Sequence, residues 1–150
     1  MSKEFYTPAE VEALTQWTPV GQRDLRHKGF LSNYGAQTKT GRWTYSARDV
    51  VAFWVARSLH GFGFDLATLF AVSWTNAETV MRFAKGGHAT RYVAFLIDGY
   101  RGDGIAHGTS VVSHNTLAEI EALYTFDKVD AVDLKHIGET LPDHIRAILV

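Results

Sequence analysis

The chain has 150 residues, a formal net charge of −1, 46% hydrophobic and 13% aromatic residues, and no cysteine. This composition supports a buried core and excludes a wholly disordered chain, and the missing cysteines exclude disulfides, thiolate metal sites and thiol redox sensing. No apolar run reaches the roughly eighteen residues of a membrane span, and the opening MSKEFYTPAEVE lacks signal-peptide character, so a cytoplasmic protein without membrane contact is expected.

Thr7-Pro8-Ala9-Glu10 starts a helix: Thr7 can cap it, Pro8 suits its first position and Glu10 completes a capping box. Thr18-Pro19 repeats the signal after the tight connection Thr15-Gln16-Trp17, and Gly29 ends the second helix. Two short helices so joined read as a helix-turn-helix, with Trp17 and Leu25 as buried anchors. Phe30 to Tyr45 reads as a β-hairpin with a polar, basic tip, and Trp43 and Tyr45 as its core. Ser46 to Asp49 opens a strongly apolar helix that runs to about His60. Asp65 caps a short helix with Leu66, Leu69 and Phe70, and Asn76 caps another, Ala77 to about Ala84, ending at Gly86-Gly87.

The pattern then changes, and a boundary at 85–88 divides an N-terminal part, 1–85, from a small α/β part, 88–150. Thr90 to Asp98 predicts a strand, Gly99 to Gly104 a glycine-rich loop and Ile105 to Ser113 a returning strand. Asn115 or Thr116 caps a helix from Leu117 to Leu123, Val129 to Val132 predicts a short strand, and Pro142 starts the last helix. The class expected is α+β.

Charge is unevenly placed. From Thr18 to Arg48 six cations face one acid, net +5, whereas Asn76 to Val150 holds seven cations and ten acids, net −3. A basic front suits a polyanion, although a solvated charged face would read the same way.

FYTPAEVEALT, TPVGQRDLRHKGFL and GRWTYSARDVVAFWVARSLHGFGFDL together resemble the winged helix-turn-helix domain of MerR-type transcription regulators over about residues 5–70. The resemblance lies in an ordered set of short elements: Tyr-Thr, a helix, Thr-Pro, an arginine one turn in, Lys-Gly, Gly-Arg, Tyr-Ser, Asp-Val and Gly-Phe-x-Leu. It implies a duplex-DNA-binding regulator that acts as a homodimer on two half-sites, with the second helix in the major groove. Thr18 would offer its hydroxyl and backbone N–H groups to a phosphate. Arg23 and Arg26, three apart, would face the backbone from the helix, and Lys39 and Arg42 from the wing. Arg48 would either hold a phosphate or pair with Asp49 or Asp24.

The chain departs from the family at several positions. Val20-Gly21 stand where a basic or polar pair is usual, so Val20 could meet a thymine methyl but could not read guanine as arginine does. Gln22 takes an apolar core position, or reads a base if the helix is rotated, and Asp24 replaces an aromatic. The long helix that forms the family's coiled-coil dimer is expected to be absent or replaced, because Ser73 to Asn76 interrupt the segment after Leu66.

In the C-terminal part the histidines His88, His107, His114, His136 and His144 lack metal-ligand spacing. The glycines of IDGYRGDGIAHG lack the lysine-threonine of a P-loop, Asp98 and Asp103 do not follow a calcium loop, and no catalytic set stands out, so neither an enzyme nor a cofactor is expected. This part would dimerise the chain, hold another protein or bind a small ligand among Tyr92, Phe95, Tyr100, Tyr124 and Phe126. Two further readings remain open: an architectural or excisionase-like DNA bender, and a winged-helix protein-interaction module without DNA affinity.

Overall fold

The computed structural model describes residues 3–97 and 109–150, and the fold is α+β. The glycine loop 99–104, Asp98, Tyr100, Asp103 and His107 lie outside the described residues. Among the latter, no helix is long and apolar enough to cross a membrane.

Helix α1 (Pro8–Thr15) begins as its sequence dictates: Thr7 Oγ1 accepts from the Glu10 amide at 3.2 Å, and Glu10 reaches back to the Thr7 amide at 3.4 Å. Such a cap stabilises a helix by about 1 kcal/mol. The chain leaves α1 through Gln16, whose φ of 67° is left-handed, and re-enters helix at once. In α2 (Pro19–His27), Thr18 Oγ1 accepts from the Gly21 amide at 3.0 Å. Leu25 is buried, and Trp17 donates from Nε1 to Phe53 O at 2.9 Å.

The hairpin is short. Strands β1 (Ala36–Gln37) and β2 (Trp43–Thr44) pair antiparallel, and a bridge between Tyr6 and Tyr45 ties β2's end to the start of the chain. Gly35 is obligatory here: its φ is +75°, and a Cβ would stand 2.8 Å from the Tyr45 ring and 2.9 Å from Thr44 O. Helix α3 (Ala47–Leu59) starts at a second capping box, Ser46 with Asp49. Asp49 does more than cap. Its carboxylate also accepts from the Gly35 amide at 3.0 Å and from Trp74 Nε1 at 3.2 Å, joining the hairpin to the helix that follows.

That helix, α4, runs unbroken from Leu66 to Ala84 over 19 residues, so the expected interruption at Ser73 to Asn76 does not occur. The polar side chains bond within the helix instead of capping a new one: Thr75 Oγ1 donates to Ala71 O at 2.8 Å and Asn76 Nδ2 to Val72 O at 2.9 Å. Leu69, Phe70, Ser73, Ala77, Val80 and Phe83 form one buried stripe at helical spacing. The stripe packs on α3 and on the C-terminal part of the same chain. Tyr34 donates its hydroxyl to Phe70 O at 2.6 Å, and burial, with Asp49 nearby, pushes this phenol far above its ordinary range, so it stays a donor.

After the turn at 85–87 the chain forms a three-stranded sheet in the order β4-β3-β5, with β3 (Tyr92–Ile97) central and antiparallel to both β4 (Thr109–His114) and β5 (Lys128–Asp133). Val93 and Phe95 belong to the main core, Phe95 edge-on to Phe64 at 4.9 Å, while Ala94 and Leu96 pack with Ile120 of α5 (Leu117–Leu123) on the other side. The short helices α6 (Leu134–Glu139) and α7 (Asp143–Arg146) close the chain. One hydrophobic core runs across 85–88, from Val11 and Phe53 through Val80 to Val132 and Ile145.

Candidate functional site

A cleft of about 920 Å³ opens between the N-terminal ends of α1 and α2 and the hairpin. Pro8 and Pro19, each first in its helix, form one wall, and Trp43 and Tyr45 the other. Arg23, one turn into α2, and Arg42, at the start of the hairpin's return, both line it. Both are exposed, and neither side chain makes a hydrogen bond or ion pair with a described residue. Two helix N-termini add partial positive charge to the same region.

The predicted site residues divide into those brought together here and those committed elsewhere. Thr18 caps α2 at one end of the cleft. Val20 is 66% exposed beside it, on the helix face that also carries Arg23 and His27. Lys39 is exposed at the hairpin tip. Arg26 lines the cleft, yet its guanidinium is bound inward: Nη1 donates to Leu31 O at 3.1 Å, and Nη2 to Tyr34 O at 2.9 Å and Tyr45 Oη at 3.1 Å. It is the clasp between α2 and the hairpin.

Two expectations are corrected. Gln22 does not face outward: it is 2% exposed, and its Nε2 donates to Pro8 O at 3.0 Å and Trp17 O at 2.8 Å, holding α1 to α2. The helix is not rotated, because Leu25, three residues on, must be buried. Arg48 pairs with neither Asp49 nor Asp24. It lies 3.9 Å over the Trp74 ring, donates to Trp74 O at 3.3 Å and stands 3.9 Å from Glu78, held against α4 and absent from the cleft's lining.

Sequence reasoning missed His27, which lines the cleft four residues after Arg23. Its helical spacing was the available signal. It also missed the inward engagement of Arg26, which depends on carbonyls that only the folded turn brings into reach.

In the C-terminal part, Tyr124 Oη lies 3.1 Å from His114 Nε2, and Glu119 stands 3.5 Å from His114 Nδ1. Phe95 belongs to the main core, whereas Tyr92, Tyr124 and Phe126 pack around Ala94, Leu96 and Ile120. No group of three or more metal-ligating side chains occurs among the described residues. No protein-family model matches the chain, and comparison with curated proteins finds no match.

Proposed function

We propose that this chain is a MerR-like winged helix-turn-helix protein: a cytoplasmic, non-enzymatic transcription regulator that binds specific duplex DNA as a homodimer. The observation that carries the reading is the pair Arg23 and Arg42, two exposed cations without a partner among the described residues, one on α2 and one on the hairpin, lining a single cleft. In this reading α2 enters the major groove and the hairpin is the wing that follows the backbone. Thr18 and the α2 N-terminus take a phosphate, Arg23 and Arg42 take others, and Lys39 adds charge at the wing tip. Because α4 is covered by its own chain, a second copy would meet the C-terminal part, where Leu117, Leu123 and Val129 are exposed.

A protein-interaction module is the second reading, favoured by Asp24, an exposed acid on α2 that would repel phosphate. Selection of bound fragments from a randomised duplex pool at two salt concentrations, with Arg23→Ala beside the native protein, separates them. A two-fold motif, lost in the variant and weakened by salt, is the expected result. Salt-sensitive retention without a motif would make the protein an architectural binder, and no retention at low salt would overturn DNA binding.

A further inference from the structure

The first turn of α2 presents few polar groups for a helix end that meets DNA. Pro19, Val20 and Gly21 carry no hydrogen-bonding side chain. Thr18 Oγ1 already accepts from the Gly21 amide at 3.0 Å, and Gln22 is turned into the core. The next outward side chains are Arg23 and Asp24, and Asp24 is held by Lys28 at 3.0 Å. A lone exposed aliphatic is ordinary on a protein surface. Val20 differs in its place: it is 66% exposed at the end of the helix that would read bases, between Pro19 and Gly21, which have no polar side-chain atom, and one turn before the exposed Arg23 on the same face.

We infer that Val20 reads the 5-methyl group of a pyrimidine in the major groove. This rests on the DNA-binding reading above and assigns its base preference. Thymine and 5-methylcytosine both present that methyl; cytosine and uracil do not. Contact between it and the valine methyls removes apolar surface from water and leaves no hydrogen bond unmade. Against a bare polar base edge the same valine would strip water and replace nothing, so it selects both for the methyl and against its absence. Arg23, three residues on, anchors the helix to the backbone without touching this choice.

The test uses duplexes enriched from a thymine-containing random pool, resynthesised in three forms: with thymine, with uracil in its place, and with 5-methylcytosine, paired to guanine, in its place. Native protein should bind the thymine form roughly fourfold tighter per contacted methyl than the uracil form, the effect of burying one such group. The third form returns the methyl to the same position on the other base pair that can carry it, and should restore the loss. Val20→Ser, an exposed change that replaces the methyls by a hydroxymethyl, should bind all three alike, and Val20→Ala and Val20→Thr, each with one methyl, should fall between. Equal native binding to all three forms, enrichment of no motif, or a methyl preference that survives undiminished in Val20→Ser would overturn the inference while leaving DNA binding intact. Loss of all retention at low salt would instead overturn the DNA-binding reading.

Discussion

The guanidinium carbon of Arg26 lies 3.4 Å from the centroid of the Trp43 ring, stacked between helix α2 and the hairpin. The same group donates to two carbonyls of the intervening turn and to the Tyr45 hydroxyl. Each charge-assisted bond of this kind contributes more than a neutral one, and the ring contact adds to them. Arg26→Ala should therefore destabilise the fold by about 3 kcal/mol. In a domain of this size that lowers the melting temperature by roughly 6–12 °C. Arg26→Lys should recover little, because an ammonium cannot serve three diverging acceptors and stack as well. Thermal unfolding followed by circular dichroism checks both variants, and a melting temperature unchanged in Arg26→Ala would remove the clasp from the account.

Arg23 predicts the opposite pattern. It is exposed and makes no bond to a described residue, so Arg23→Ala should change stability by no more than about 0.5 kcal/mol. If it holds one phosphate, its loss should weaken duplex binding across sequences and reduce the slope of log affinity against log salt by about 1. Arg42→Ala should behave likewise. Fluorescence anisotropy over a salt series measures both slopes, and slopes equal to that of the native protein would take these arginines out of the interface.

The contrast between Arg23 and Arg26 shows where the sequence is legible. Both sit on one cationic stretch, and spacing places both on one helix face. What separates them is the position of Leu31 O, Tyr34 O and Tyr45 Oη, set by a turn and a strand pairing that no local pattern specifies. The caps at Thr7, Thr18, Ser46, Asp65 and Thr116 were legible because a cap is a local bond between residues three apart. Asn76 shows the limit of that logic. It has a cap's composition, but the buried stripe on either side of it carries the helix through, and its amide bonds to Val72 O. Local chemistry offered two helices, and tertiary burial selected one.

Gln22 supplies a prediction on the price of polarity in a core. Its Nε2 has two carbonyl acceptors, whereas its buried Oε1 has no hydrogen-bond partner. Gln22→Leu frees those carbonyls but removes the orphaned oxygen, so the two effects oppose and the net change should stay within about 1 kcal/mol. Gln22→Glu keeps the shape and places a charge at the buried position, which should cost about 3 kcal/mol or more near neutral pH. Urea unfolding midpoints of the pair distinguish them. Equal midpoints would mean that the side chain reaches water.

Gly138 marks a close approach invisible to pattern reading. A Cβ there would stand 2.6 Å from Val80 O, 2.7 Å from Phe83 Cβ and 3.1 Å from Ala84 N, so α6 lies directly against the backbone of α4. Helix propensity alone would favour alanine at this position by about 1 kcal/mol. The atoms in the way are backbone and the root of a side chain, which cannot swing aside, so overpacking should win and Gly138→Ala should destabilise by roughly 1–3 kcal/mol. A rise in melting temperature would show instead that α6 can move away freely.

The tie between the start of β3 and the end of β5 should respond to acid through Asp133. Arg91 reaches this carboxylate with Nε at 3.1 Å and Nη2 at 2.8 Å, and the His136 amide donates to it at 3.1 Å. The Arg91 bond first, then the His136 amide and the charges nearby, hold the carboxyl below the usual carboxylate range against a partial burial that acts the other way. A carboxyl lowered by folding binds its proton less readily in the folded chain than in the unfolded one. Its stabilisation is therefore complete above the unfolded value of about 4 and is lost as pH falls through the lower folded value. Because the pair is partly open to solvent, its contribution should be no more than about 1 kcal/mol. Asp133→Asn keeps a side chain able to cap α6 but removes the charge. It should lower stability by that amount at pH 7, and the difference from the native protein should shrink steadily below pH 4. Chemical unfolding at pH 7, 5, 4 and 3 checks the course, and a native-to-variant difference that held constant across the series would place the pairing outside the energetics of the fold.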